Sequence, residues 1–160
     1  MAWSASGGFR QAMIDIFDKT LTGHDFDASS MFKVALFNNS VTPDFDATAA
    51  NTAFNAGTWT TGNEVAQSVQ FPTGGVVLAN NDVTGVSGGI AMLDADDTAS
   101  GSAFTATNIY GCLIYMDAVT TPVADQGLCA IYFGGTAYGL TNGTFTIQWS
   151  ASGIYRWDVA

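Results

Sequence analysis

The sequence predicts a mainly β protein: a single antiparallel β-sandwich of jelly-roll type with an N-terminal amphipathic helix and a short second helix. Three observations carry this expectation. From Met31 onward, short apolar runs are punctuated by Gly, Asn and Asp, the rhythm of a sandwich or barrel rather than of βαβ units. Ahead of them, one stripe of apolar residues recurs at helical spacing. And 160 residues without a fixed-period repeat or a Pro- or Ser-rich linker suit one domain, divided into an N-terminal helical arm over 1–30 and a β-sandwich over 31–160.

The helix comes first. Phe9, Ala12, Met13, Ile16 and Phe17 fall at i, i+3, i+4, i+7 and i+8, with Arg10, Gln11, Asp15 and Asp18 off the stripe, which predicts a helix over about residues 8–21. Asp15 and Lys19 make a favourable i, i+4 pair, and Gly23 is the expected stop. Such a stripe must pack on the protein's own sheet or on a neighbouring subunit.

Phe32, Val34 and Leu36 alternate with Lys33, Ala35 and Phe37, a strand ended by the turn cluster Asn38-Asn39-Ser40. Thr42-Pro43 reads as an N-cap and first helical position, and the Ala-rich stretch from Asp46 to Phe54, with Gly57 behind it, as the short second helix. Further strands are expected at Val76 to Ala79, Gly89 to Leu93, Ala103 to Thr107, Ile109 to Met116, Leu128 to Phe133, Thr144 to Trp149 and Ile154 to Val159. Within Thr144 to Trp149, Phe145, Ile147 and Trp149 alternate with Thr144, Thr146 and Gln148, the pattern of a strand with one wet face. Ile109 to Met116 and Leu128 to Phe133 are apolar on both faces, so they must be central in a covered sheet or lie at a subunit contact. Asn142-Gly143 is the strongest hairpin signal, since both residues tolerate the positive φ of a type I′ turn.

Composition narrows the function. With 4 basic and 14 acidic residues the net charge is −10, which argues against a nucleic-acid binder, because that affinity comes from Lys and Arg displacing counterions. Charged residues are 11% of the chain against a usual share of about 25%. Lys19, Lys33 and Glu64 are the whole complement of Lys and Glu, the residues that normally clothe a soluble surface and that interface cores lack. The composition is that of a building block with much of its exterior packed on partners. Met1-Ala2-Trp3-Ser4 has neither a basic n-region nor an apolar h-region, so no secretory signal is expected and synthesis in a cytosol is. No apolar stretch is long enough to cross a bilayer.

Motifs with chemistry each have a plainer explanation. Cys112 and Cys129 fall short of a zinc site and sit in apolar runs as small buried hydrophobes, with a disulfide, disfavoured in a reducing cytosol, as the alternative. Gly85-Val86-Ser87-Gly88-Gly89 matches a nucleophile elbow, yet the sole histidine, His24, lies upstream and no helix pattern follows, which leaves a glycine-rich turn. His24 beside Asp25 and Asp27 fits a loop leaving the helix. Asp94, Asp96 and Asp97 are hard oxygen ligands close together, a calcium candidate, but without the spacing, glycine or distal Glu of an EF-hand they read as a hairpin turn. Aromatics such as Trp59, Tyr115, Tyr132, Trp149, Tyr155 and Trp157 could display a sugar-binding face, though alternation on strands assigns them mainly to the core. No catalytic residue, cofactor or metal is therefore expected.

Several segments together resemble a family. Phe32-Lys33-Val34-Ala35-Leu36-Phe37-Asn38-Asn39 with Thr42-Pro43-Asp44, Ala53-Phe54-Asn55-Ala56-Gly57 and Gly62-Asn63-Glu64-Val65 is similar to small structural proteins of tailed phages of actinobacteria. The likeness continues through Tyr110-Gly111-Cys112-Leu113-Ile114-Tyr115, Pro122 to Leu128, Tyr132-Phe133-Gly134-Gly135 and Gly143 to Trp149, and covers most of residues 31–158. It implies a non-enzymatic virion component, a minor capsid or decoration protein that binds and stabilises the head shell. The implied partner is the phage's major capsid protein, with self-association as a homotrimer and no nucleic acid or membrane. The implied location is the capsid, after synthesis in the host cytoplasm. Trp3, Phe9, Met13, Ile16 and Phe17 are the expected interface residues. The alternative reading is a tail or tail-fibre component binding a host-surface glycan.

Overall fold

The computed structural model describes residues 3–67 and 69–158. It is mainly β, with several antiparallel sheets and two helices. The largest sheet has the order β1-β9-β8-β2-β3, built from β1 (Gly7–Gly8), β2 (Phe32–Phe37), β3 (Val76–Val77), β8 (Gly111–Met116) and β9 (Gln126–Tyr132). Its middle strand β8 is one of the two runs expected to be apolar on both faces, and β9 beside it is the other. Both are covered within the chain, so neither needs a subunit contact.

Register shows what covers them. Gly7, Ala130, Leu113 and Ala35 are cross-strand neighbours and share one face of the sheet. That face is closed by an aromatic cluster in which Trp59 makes edge contacts with Trp3, Phe9 and Phe37 at ring separations of 5.7, 5.9 and 5.1 Å. Gly111 and Gly127 make room for it: a Cβ on Gly111 would lie 2.8 Å from the Trp3 indole, and one on Gly127 2.9 Å from the Phe9 ring. The opposite face carries Gly8, Cys129, Ile114 and Val34. A three-stranded sheet, order β12-β5-β4, supplies its cover: β4 (Asp82–Val86), β5 (Ile90–Asp94) and β12 (Tyr155–Asp158), with the Tyr155 hydroxyl tight against Gly8. The layering is sandwich-like. Two two-stranded ribbons complete the fold, β7 (Phe104–Ile109) with β10 (Tyr138–Gly143) and β6 (Thr98–Ala99) with β11 (Thr146–Ile147).

The N-terminal segment corrects the expected arm. Trp3 and Phe9 are fully buried, the Trp3 indole N–H donates to the Asn38 carbonyl at 2.8 Å, and β1 adds to β9. The segment is tied to the main sheet through β1 and packs Trp3, Phe9, Ala12 and Leu21 into the core, because a Trp and a Phe left outside would forfeit some of the largest apolar burial available. Helix α1 runs over Arg10–Phe17 only. Asp15 does not meet Lys19: it turns inward, 3% exposed, and accepts hydrogen bonds of 2.8 Å from the side-chain amides of Gln11 and Gln126. The chain leaves the helix four residues before Gly23, with Lys19 taking the left-handed conformation at φ 65°.

The second helix, α2, is a single turn at Ala49–Thr52. Thr42-Pro43 does not cap it, since the Asp44 carboxylate captures the Asp46 N–H at 3.0 Å and fixes a turn where the helix was expected to start. Asn142-Gly143 is not a hairpin turn either. Between the pairs Leu140↔Ala106 and Gly143↔Phe104 one extra residue stands on β10, and Asn142, at φ 51°, forms a bulge there. Asp94 to Asp97 likewise is no hairpin, because β5 and β6 belong to different sheets. The wet-faced strand keeps its alternation, with Ile147 buried and Thr144, Thr146 and Gln148 exposed, although only Thr146–Ile147 is paired. β12, Tyr155–Asp158, is the last expected strand; the final residue of that expectation, Val159, lies outside the described residues. β1, β4, β6 and β10 had no strand signal of their own.

Candidate interaction surface

Of the five expected interface residues, Trp3 and Phe9 belong to the core, while Met13, Ile16 and Phe17 gather at one seam. The stripe splits because the helix lies at the β9 edge of the main sheet. Ala12 and Asp15 face inward, and the last turn runs out over the three-stranded sheet.

The seam is built from three elements. From α1 come Met13, Ile16 and Phe17. The loop after it contributes Phe26, which makes an edge contact with Phe32 at 5.1 Å and stacks on Trp157 at 6.2 Å. The outer sheet adds Val83, Ala91 and Trp157. The Trp157 indole N–H points to the Met13 sulfur at 3.2 Å and locks the sheet to the helix. Together they line a hollow of about 250 Å³ without a charged side chain. Phe17 stands 74% exposed at its rim, Ile14 is 43% exposed, and a second, shallower hollow runs outward past Arg10 and Asp18. What marks the place is that Phe17 and Ile14 adjoin apolar hollows, so the exposed area is contiguous and not a single side chain.

Ile14, Phe26, Val83 and Ala91 were not singled out from sequence, and Trp157 was named only as an aromatic assigned mainly to the core. Ile14 lies off the helical stripe, Phe26 sits alone between Asp25 and Asp27, and Val83 is in a short polar, Gly-containing segment. Ala91 and Trp157 had a signal only as members of expected strands, Gly89 to Leu93 and Ile154 to Val159.

The other candidates are dispersed. Asp94 accepts from the backbone N–H of Ala95, Asp96 from the side-chain amide of Asn80 and Asp97 from the backbone N–H of Trp149, so the three carboxylates are tied to three separate segments. Among the described residues no group of three or more His, Cys, Asp or Glu side chains could hold a metal ion. Ser87 lies in the glycine turn of the β4–β5 hairpin, with Gly88 and Gly89 at positive φ. His24 has its Nδ1 at 3.1 Å from the Leu21 carbonyl in the loop after α1. Cys112 and Cys129 are free thiols, fully buried, and burial pushes Cys112 up and Cys129 up to about 12, so both stay protonated and inert. Burial also raises Glu64, partly offset by the Gly74 N–H that Glu64 accepts at 2.8 Å. No helix among the described residues is long and apolar enough to cross a membrane. Compared with protein-family models, curated proteins and solved structures, the chain matches none of them.

Proposed function

We propose that this chain is a non-enzymatic structural component of a phage virion, a minor capsid or decoration protein that docks on the head shell. The observation that carries the reading is the seam beside α1, where Phe17 and Ile14 leave apolar area uncovered next to a hollow with no charged lining. Burying Phe17 against the major capsid protein would remove most of a large ring from water, the kind of anchor that dominates interface energetics. The net charge of −10 keeps such a protein off packaged nucleic acid and leaves the apolar seam as its means of attachment. Copies bound around a symmetry axis of the shell would meet one another as a ring-closing homotrimer.

The test is occupancy of purified heads lacking the protein. The Phe17→Asp and Ile14→Asp variants should fold normally and bind heads about tenfold less or weaker still. Full occupancy by folded Phe17→Asp protein would remove the seam from the proposal. Deleting residues 1–21 is not an equivalent test, because it strips Trp3 and Phe9 from the core.

A further inference from the structure

We propose a second site: the groove between β10 and β11 binds an uncharged oligosaccharide. Phe133, Tyr138 and Phe145 form an aromatic cluster there, with ring centroids 6.3 Å apart for Phe133 and Tyr138, 6.1 Å for Phe133 and Phe145, and 6.4 Å for Tyr138 and Phe145. Tyr138 is 49% exposed at the mouth. The groove encloses about 450 Å³, within the range of roughly 300–1,000 Å³ typical of small-ligand clefts. Thr144, Thr146 and Gln148, exposed on the wet side of the strand, line it as well.

The chemistry of the lining selects the occupant. The exposed Tyr138 ring can accept the C–H face of a sugar ring, and its own hydroxyl, with the Thr and Gln residues at the groove, can pair with sugar hydroxyls. An acyl chain would leave those polar groups unpaired. No lining residue is Asp, Glu, Lys, Arg or His, so a phosphate, sulfate or ammonium group finds no counter-charge, and the net charge of −10 repels anions. An added peptide strand is disfavoured too. β10 pairs only with β7 among the described strands, but the ladder slips between Tyr138 and Leu140 and again between Leu140 and Gly143, and bulged edges resist strand addition. The groove shares no residue with the seam at α1, so the inference does not rest on head docking.

Saturation-transfer NMR and titration calorimetry of the intact chain with maltohexaose, mannohexaose and galactohexaose test it, with hexagalacturonate and an uncharged extended hexapeptide as competing classes. At least one neutral hexasaccharide should bind. Tyr138→Ala should weaken it on the order of tenfold, while Tyr138→Phe, which keeps the ring, stays within about threefold. Gln148→Ala, at an exposed position, gives a second loss that does not depend on the aromatic cluster folding intact, and Phe17→Asp should change nothing. Binding by none of the neutral sugars, binding indifferent to both Tyr138→Ala and Gln148→Ala, or preference for hexagalacturonate or the peptide would each overturn the proposal.

Discussion

Strand β8, Gly-Cys-Leu-Ile-Tyr-Met, and strand β5, Ile-Ala-Met-Leu-Asp, are both apolar runs at the middle of their sheets, yet all of β8 is buried and in β5 only Leu93 is. β8 has a strand on each side, an aromatic cluster on one face and the outer sheet on the other. β5 also has two neighbours, but only the face bearing Ala91 and Leu93 lies over protein, while Ile90 and Met92 alternate onto the outer face and stay half-buried. The difference teaches that an apolar strand is buried by its covers and not by its composition. Some of the uncovered apolar area, at Ile14, Phe17 and Val86, lies around the outer sheet and the end of α1, where the seam is, while Val69, Val77 and Tyr138 are exposed elsewhere.

The comparison breaks most visibly at the covers of the main sheet. Trp59→Ala should cost about 3–5 kcal/mol in urea unfolding, because Trp3, Phe9 and Phe37 all lose their common partner. Met92→Ala on the outer sheet should cost about 1 kcal/mol; equal losses at the two sites would mean the sheets are equally covered. Next in size is Asp15→Ala, which leaves the buried Gln126 amide without its partner and should lower stability by about 1–3 kcal/mol, with Asp15→Asn restoring part of it.

Phe17→Asp should shift the melting midpoint little, within about 0.5 kcal/mol of stability, while reducing head occupancy as described above. A large loss of stability would show Phe17 to be core. The smallest effect concerns Glu64. Its carboxyl is raised in the folded protein above its ordinary 4.5, so the folded state holds the proton more tightly than the unfolded one. Its contribution is then full below the ordinary value and is lost as pH rises through the folded one. Glu64→Gln should flatten that decline in a series of melting curves across mild acid, and an unchanged slope would show that Glu64 does not cause it.

Much of the fold was legible because period-2 alternation is local. Phe32 to Phe37 and the wet-faced Phe145, Ile147 and Trp149 run could be read directly, and the two-faced apolarity of β8 and β9 required cover on both sides, from the chain itself or from a subunit contact. β4 was illegible because its alternation runs only from Asp82 to Thr84 before Gly85 and the exposed Val86 break it, and β1 because two glycines carry no pattern. The helix stripe was only partly right. It held Ala12, which does point inward, and Met13, Ile16 and Phe17, but Asp15, read as off the stripe, points inward too, and a buried carboxylate is visible only once Gln11 and Gln126 stand beside it.

From the sequence alone came the strand-forming runs, the need for a left-handed residue at Asn142, and a surplus of apolar surface over charge. Tertiary structure alone decided that Trp3 and Phe9 turn inward while Phe17 stays out, and that the left-handed Asn142 makes a bulge and not a turn. The reason is one of range. Periodicity and φ preference are properties of a few adjacent residues, whereas cover depends on segments far apart in the chain, as when Gly111 meets Trp3 or Trp157 meets Met13.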